Sequence, residues 1–355
     1  MKKVFLLLLC LPVFTSCSLV TLERQIYPIC LSVDASEDGR FQLAVQAPRS
    51  SGSDDASYDI ISASGDTFED ALRMLSASTP YPLNFSQIRL CLLGYRLAST
   101  TPLRPLLRTL LEQPTMRPNA YVSVALGTGL SVLQNQQPDF GMRLSTHLNL
   151  LLDRLRQERL LPDSTLSACV RELSDTRTDP LIGLCAVNPR LVQEEENAKE
   201  SPSGEDGESG SSPAFALGEP WSDELLPSGV IAGMISHTSP NPVEYLGSAA
   251  VSEGRVSGVL SADETQLALR LLEEAKRRTD LSGDRLRLSI LLKKDTDLDT
   301  AADRVISLVR KLQALDSDPL LFGGVCAMRF GTNAEWEAFG FRGRYREAEV
   351  FAAAE

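Results

Sequence analysis

Residues Gln87 to Leu93 form a dense apolar run closed by Gly94. A strand this apolar on both of its alternating faces has to be covered from both sides, which is the condition of a central strand in a sheet with helices on each face. The neighbouring segments supply the covering. Asp66-Thr67-Phe68-Glu69 has capping-box spacing and opens a helix with Phe68, Leu72 and Leu75 on one face up to Ser78, and Pro102 and Pro105 begin a second helix that runs to about Glu112. Met142 to Arg159 repeats leucines at three- and four-residue spacing (Leu148, Leu151, Leu152, Leu155), the stripe of a third.

The same alternation runs through most of the chain. Ile26 to Val33 and Phe41 to Ala47 flank a turn-rich Ala35 to Gly39 and read as a half-buried hairpin; Tyr58 to Ser62, Ala120 to Leu126 and Leu181 to Val187 are further strands, with a helix near Ser164 to Leu173. Beyond residue 240, Val243 to Val251 and Arg255 to Leu260 form a hairpin around Ser252-Glu253-Gly254. A capping box at Ser261 to Glu264 then opens a helix expected to reach about Arg278. Leu286 to Leu292 is a strand, Leu298 to Leu315 a helix buried through Val305, Leu308, Val309 and Leu312, and Tyr345 to Phe351 a last strand. The class is therefore α/β (α+β): mixed β-sheets flanked by helices in two to three consecutive domains.

Between Glu194 and Glu219 eight acidic residues stand against the single Lys199, mixed with Ser, Gly and Pro. That composition buries no core and reads as an acidic, solvated linker over 193–228. It divides an N-terminal part, 17–94 and 95–192, from a C-terminal domain over 229–355.

The first residues are of another kind. Met1-Lys2-Lys3, the apolar run Val4 to Val13, and Phe14-Thr15-Ser16-Cys17 read as a bacterial lipoprotein signal over 1–16, with Cys17 as the lipidated residue. The apolar run is too short for a stable span. In the lipoprotein pathway the Cys17 thiol takes a diacylglycerol and the new N-terminus an acyl chain (palmitate-type), at roughly 0.8 kcal/mol per buried methylene. An ordinary cleaved signal and an uncleaved anchor helix are the alternatives.

Charge and side-chain chemistry exclude more than they suggest. A formal net charge of −12 repels phosphate backbones, so nucleic acid is not an expected partner, and it argues against electrostatic docking on anionic headgroups. Of seven cysteines, five follow Cys17: Cys30, Cys91, Cys169, Cys185 and Cys326. Their odd number, and the apolar strand-like contexts of four of them, predict buried free thiols, with a disulfide framework as the alternative.

His147 and His237 are the only histidines, and neither has a ligand at metal spacing. Asp295-Thr296-Asp297-Leu298-Asp299 begins like a calcium loop but has Thr300 where Gly is needed and Ile306 where Glu is needed. Glu264 is explained by its capping box. Gly127-Thr128-Gly129 and Phe322-Gly323-Gly324 match no phosphate cradle. No enzyme is expected, and no catalytic, metal or cofactor site.

Several stretches in order resemble the Ger(x)C lipoproteins, the C subunits of spore germinant receptors. Gly65 to Leu72 resembles that family's Gly-x-Thr-x-x-x-Ala-Leu helix start; Leu83 to Gln87, Ile88 to Leu93, Gly94, Leu97 and Ala98 its strand-Gly-x-x-Leu-Ala block. Leu111 to Pro114, Arg117 and Val122 to Ala125 continue in register. Gly247 to Val251, Arg255 to Leu260 and Glu264-Thr265 resemble the opening of its C-terminal domain, and Asp318 to Gly323 its Asp-x-x-Gly-Phe-Gly region. Departures are Ser18-Leu19 in place of a tryptophan, Gln87 in place of a histidine, and a short C-terminal domain. The resemblance implies a non-enzymatic lipoprotein on the outer face of the spore inner membrane. Its partners would be two integral-membrane subunits, of A and B type, in a receptor that answers small nutrients; contact of this subunit with a germinant stays open. A solute-binding lipoprotein of a transporter is the alternative.

Overall fold

The computed structural model describes residues 24–36, 38–49, 58–138, 141–188, 241–282, 285–292 and 298–354. The signal, Cys17, His237, the acidic stretch 193–228 and Asp295 and Asp297 lie outside the described residues.

Eight strands form one sheet: β1 (Cys30–Ala35), β2 (Phe41–Pro48), β3 (Tyr58–Gly65), β4 (Leu90–Gly94), β5 (Tyr121–Ala125), β6 (Leu181–Val187), β7 (Val243–Ser252) and β8 (Arg255–Leu260). Their order is β3-β2-β1-β4-β5-β6-β7-β8. The four central strands run parallel and each edge is an antiparallel hairpin pair. β4 is buried along its whole length, as its apolar sequence requires. Two cores lie on opposite faces, following the two-residue period of the strands. Leu31, Val33, Cys91 and Leu93 point to one, with Phe68, Leu72 and Leu75 of α1 (Phe68–Ala77). Cys30, Leu90, Leu92 and Cys185 point to the other, with leucines of the helix Leu144–Gln157.

A smaller sheet of order β11-β10-β9 is made by β9 (Lys276–Ser282), β10 (Arg285–Leu292) and β11 (Glu349–Ala354). Its inner face (Leu286, Leu288, Ile290, Leu292) shares a third core with Val305, Leu308, Val309 and Leu312 of the helix Leu298–Ala314. Leu181, Ala250 and Leu260 of the large sheet belong to that same core, so the two sheets are joined by apolar packing. Sheet boundaries do not coincide with residues 94 and 229: the large sheet draws strands from all three segments read as domains, including the hairpin that follows the acidic stretch.

Three local expectations change. The first helix is capped by Thr67, whose side chain accepts the Asp70 amide, and not by Asp66, which instead pairs with Arg40 at 2.8 Å. The shift of one residue buries Phe68 at the helix start. The helix opened by Ser261 stops at Glu274, and Lys276–Ser282 turns back as β9. Arg277 secures that stop by donating to the carbonyls of Leu271 and Leu272 at 2.9 and 3.1 Å; the first also accepts the Ala275 amide, and the second is among the last carbonyls that a helix end leaves without an intrahelical partner. Residues Phe341–Arg346 are helical, and the last strand begins at Glu349.

Candidate functional site

In an open α/β sheet the carboxyl ends of the parallel strands, next to helix N-termini, are where ligands bind. Here that position is filled from within. Asp34, near the end of β1 and 2 % exposed, accepts the amides of Gly129 at 2.7 Å and Leu130 at 3.0 Å, the first residues of the short helix Gly129–Asn135. Thr128 caps the same helix through the Ser131 amide at 3.1 Å.

The glycines around Asp34 are required by space. A Cβ on Gly94 would lie 2.2 Å from Asp34 Oδ1, and one on Gly129 would lie 2.7 Å from Ser32 Cβ. Gly127 turns the chain at φ 102°, a left-handed conformation suited to glycine. Burial pushes the Asp34 carboxyl up to about 6, against the downward pull of the two amides. A carboxylate of the chain itself thus occupies the place where a bound anion would sit, and the Gly127-Thr128-Gly129 turn serves this internal contact.

A second polar cluster lies where the two sheets meet. Asp179, just before β6, and Asp318, in the C-terminal part, exchange backbone contacts: the Asp179 amide donates to the Asp318 carbonyl at 3.2 Å, and the Asp318 amide to Asp179 Oδ2 at 3.0 Å. Arg342 donates to Asp179 Oδ1 at 2.7 Å and to the Asp316 carbonyl at 2.8 Å. The Asp318 carboxylate accepts the amides of Phe322 at 3.1 Å and Gly323 at 2.6 Å, opening the helix Phe322–Ala327. Desolvation raises both carboxyls, that of Asp318 to about 8, while Arg342 pulls Asp179 back down.

Gly323 belongs to the same junction, since a Cβ there would lie 2.2 Å from the Arg177 carbonyl oxygen. Phe322-Gly323-Gly324 is therefore a contact between lobes. Its chemistry is mechanical: it fixes the orientation of one lobe on the other through groups drawn from residues more than a hundred apart in sequence.

The remaining candidates fall into structural roles. Glu264 closes its capping box on the Ser261 amide at 2.8 Å and pairs with Lys311 at 2.6 Å, tying two helices of the C-terminal part. His147 is buried, its Nε2 3.5 Å from Asn241 Nδ2. Cys30, Cys91, Cys169, Cys185 and Cys326 are buried free thiols, as their apolar contexts predict, and burial pushes the Cys91 thiol up to about 12. Among the described residues no group of three or more His, Cys, Asp and Glu could hold a metal ion. A groove of about 650 Å³ lined by Arg285, Phe339, Arg344, Glu347 and Glu349 opens at one end of the small sheet. Sequence reasoning did not find it, because its walls come from two short helices and strand ends.

Residues 19–187 match the family described as the spore germination protein N-terminal domain, a span that ends with β6. The crystal structure of the GerBC protein is similar at a TM-score of 0.45 and 11% identity, covering 91% of this chain and 95% of that one. No curated protein matches the chain. The matched residues hold six of the eight strands of the large sheet, with Asp34 and its glycines, and include the Gly65 to Leu72 and Leu83 to Ala98 stretches. Residues 19–187 thus carry a spore germination protein N-terminal domain, a finding that agrees with the resemblance to the Ger(x)C proteins.

Proposed function

We propose that this protein is the lipid-anchored, non-enzymatic C subunit of a spore germinant receptor, held on the outer face of the spore inner membrane by acyl chains on Cys17. It assembles there with two integral-membrane subunits and takes part in the response to nutrients. The observation that carries the reading is the adjacency of two independent signals: a lipidation motif ending at Cys17 and a germination-protein domain that starts at residue 19. The interior supports a scaffold rather than a catalyst. The end of the sheet that could receive an anionic ligand is filled by Asp34, and the junction of the lobes is a set of backbone and ion-pair contacts. Among the described residues no helix is long and apolar enough to cross a membrane.

Cys17→Ala is expected to move the protein from the membrane pellet to the soluble fraction of disrupted spores and to slow germination. Two acyl chains hold a protein at a bilayer essentially irreversibly, whereas one chain or none does not. Fractionation and immunoblotting read the outcome; full retention of the variant in the pellet would overturn the lipoprotein reading.

A further inference from the structure

The net charge of −12 conceals an uneven distribution. Side chains on β9, β10 and β11 alternate between the two faces of the small sheet, and the inner face is the apolar one covered by the helix Leu298–Ala314. The strand registers set out what the other face carries. Arg278 of β9, Ser289 of β10 and Phe351 of β11 form one row, Asp280, Arg287 and Glu349 the next, and Lys276, Leu291 and Ala353 the third. Arg285 lies two residues before Arg287 on the same face. Lys276, Arg278, Arg285 and Arg287 are all exposed, and Phe351 is 43% exposed.

The acids on this face are already engaged. Glu349 pairs with Arg287 at 3.5 Å and Asp280 with Arg329 at 3.4 Å. Arg278 and Arg285 have no ion-pair partner among the described residues. Arg287 also lies 4.6 Å from the centre of the Phe351 ring. Among the described residues this sheet face has a cationic excess and an aromatic residue in its middle row.

We propose that this outer face of the small sheet docks on an anionic membrane surface, with Arg278, Arg285 and Arg287 on lipid phosphates and Phe351 at the headgroup boundary. Laterally mobile phosphates fit such a face without a matched geometry, and arginine stems can lie along the apolar boundary with their guanidinium groups outward. An aromatic ring is favoured at the same depth. The face adds to a tether at Cys17 a second contact that fixes which side of the protein meets the bilayer, but it stands on the sheet alone and needs no acyl chain.

The test uses the chain without its signal and with Cys17→Ser, so that lipidation plays no part, in flotation with vesicles of phosphatidylglycerol and phosphatidylcholine or of phosphatidylcholine alone. Binding is expected to the anionic vesicles and to be lost at high salt, which screens charge. The variant R278Q/R285Q/R287Q is expected to bind roughly 100-fold more weakly, each basic residue near an anionic surface contributing about 1 kcal/mol. A control with three exposed arginines of the other lobe replaced, R73Q/R96Q/R104Q, is expected to bind as the parent does. Absence of binding to anionic vesicles, equal binding to both vesicle types, or equal loss in the control overturns the proposal. So does capture of the face by an added peptide of residues 194–219 in preference to vesicles, which assigns it to an acidic polypeptide.

Discussion

Arg342→Met is expected to destabilise the protein by about 3 kcal/mol, near the lower end of what breaking a buried ion pair costs. Methionine keeps most of the aliphatic volume but returns neither hydrogen bond. Asp179, whose side chain is 5% exposed, loses the guanidinium that neutralises it, and the Asp316 carbonyl loses its donor. The Asp318 amide still donates to Asp179, but a single neutral donor does not balance a buried carboxylate.

Solvent reaches the Arg342 side chain, 29% exposed, which is why the lower end of the range applies. Urea unfolding of Arg342→Met, of Asp179→Asn and of the double variant measures the pair directly. The double variant should recover part of the loss, because the buried charge is gone. A wild-type urea midpoint in Arg342→Met would show that the junction is not held by this pair.

Asp34→Ala is expected to cost about 2–4 kcal/mol. It strands the amides of Gly129 and Leu130 in the interior and leaves a small void between three glycines. Asp34→Asn is milder, since its amide oxygen still accepts one of the two bonds. The asparagine variant also separates charge from shape.

Burial raises the Asp34 carboxyl to about 6, above the value of about 3.9 for an unfolded aspartate, so the folded state binds this proton more tightly. The stability gained from that proton is complete below about pH 4 and is lost as the pH rises to about 6. The wild type should therefore lose stability relative to Asp34→Asn across this window and run parallel to it above. A difference that stays flat between pH 4 and pH 6 contradicts the assignment.

The elements that could be read from the sequence are those whose own pattern suffices. The run Gln87 to Leu93 predicted a strand buried on both faces, and β4 is one; Ser261 and Glu264 predicted a capping box, and its two reciprocal bonds are present. β9 was not legible because Lys276-Arg277-Arg278 contains good helix formers and continues an amphipathic helix without an intervening glycine or proline. The stop is set by Arg277 folding back on the helix carbonyls, a contact no pattern window contains. The helices over 322–346 are six or seven residues long, too short for a periodic stripe. One signal was there: Thr332 and Glu335 have capping-box spacing, and the structure uses it.

The two polar clusters show the same limit more sharply. Asp34 reaches amides 95 and 96 residues away, and Arg342 reaches a carboxylate 163 residues away. The glycines at both clusters were visible as turns, and their exclusion from phosphate binding rested on motif mismatch alone. The structure gives the physical reason, which is that carboxylates of the chain occupy the helix N-termini. The joining of the hairpin β7–β8 to the large sheet is equally non-local: a strand carries its burial in its sequence but not the identity of its neighbour.

The central claim, membership of a membrane receptor assembly, is tested most directly by capturing the tagged, lipidated protein from detergent-solubilised spore membranes and identifying what accompanies it by mass spectrometry. The account predicts two polytopic membrane proteins, recovered in constant proportion with the wild type. Recovery of the protein alone, or with a transport ATPase and permease, would contradict it and point to a solute-binding lipoprotein.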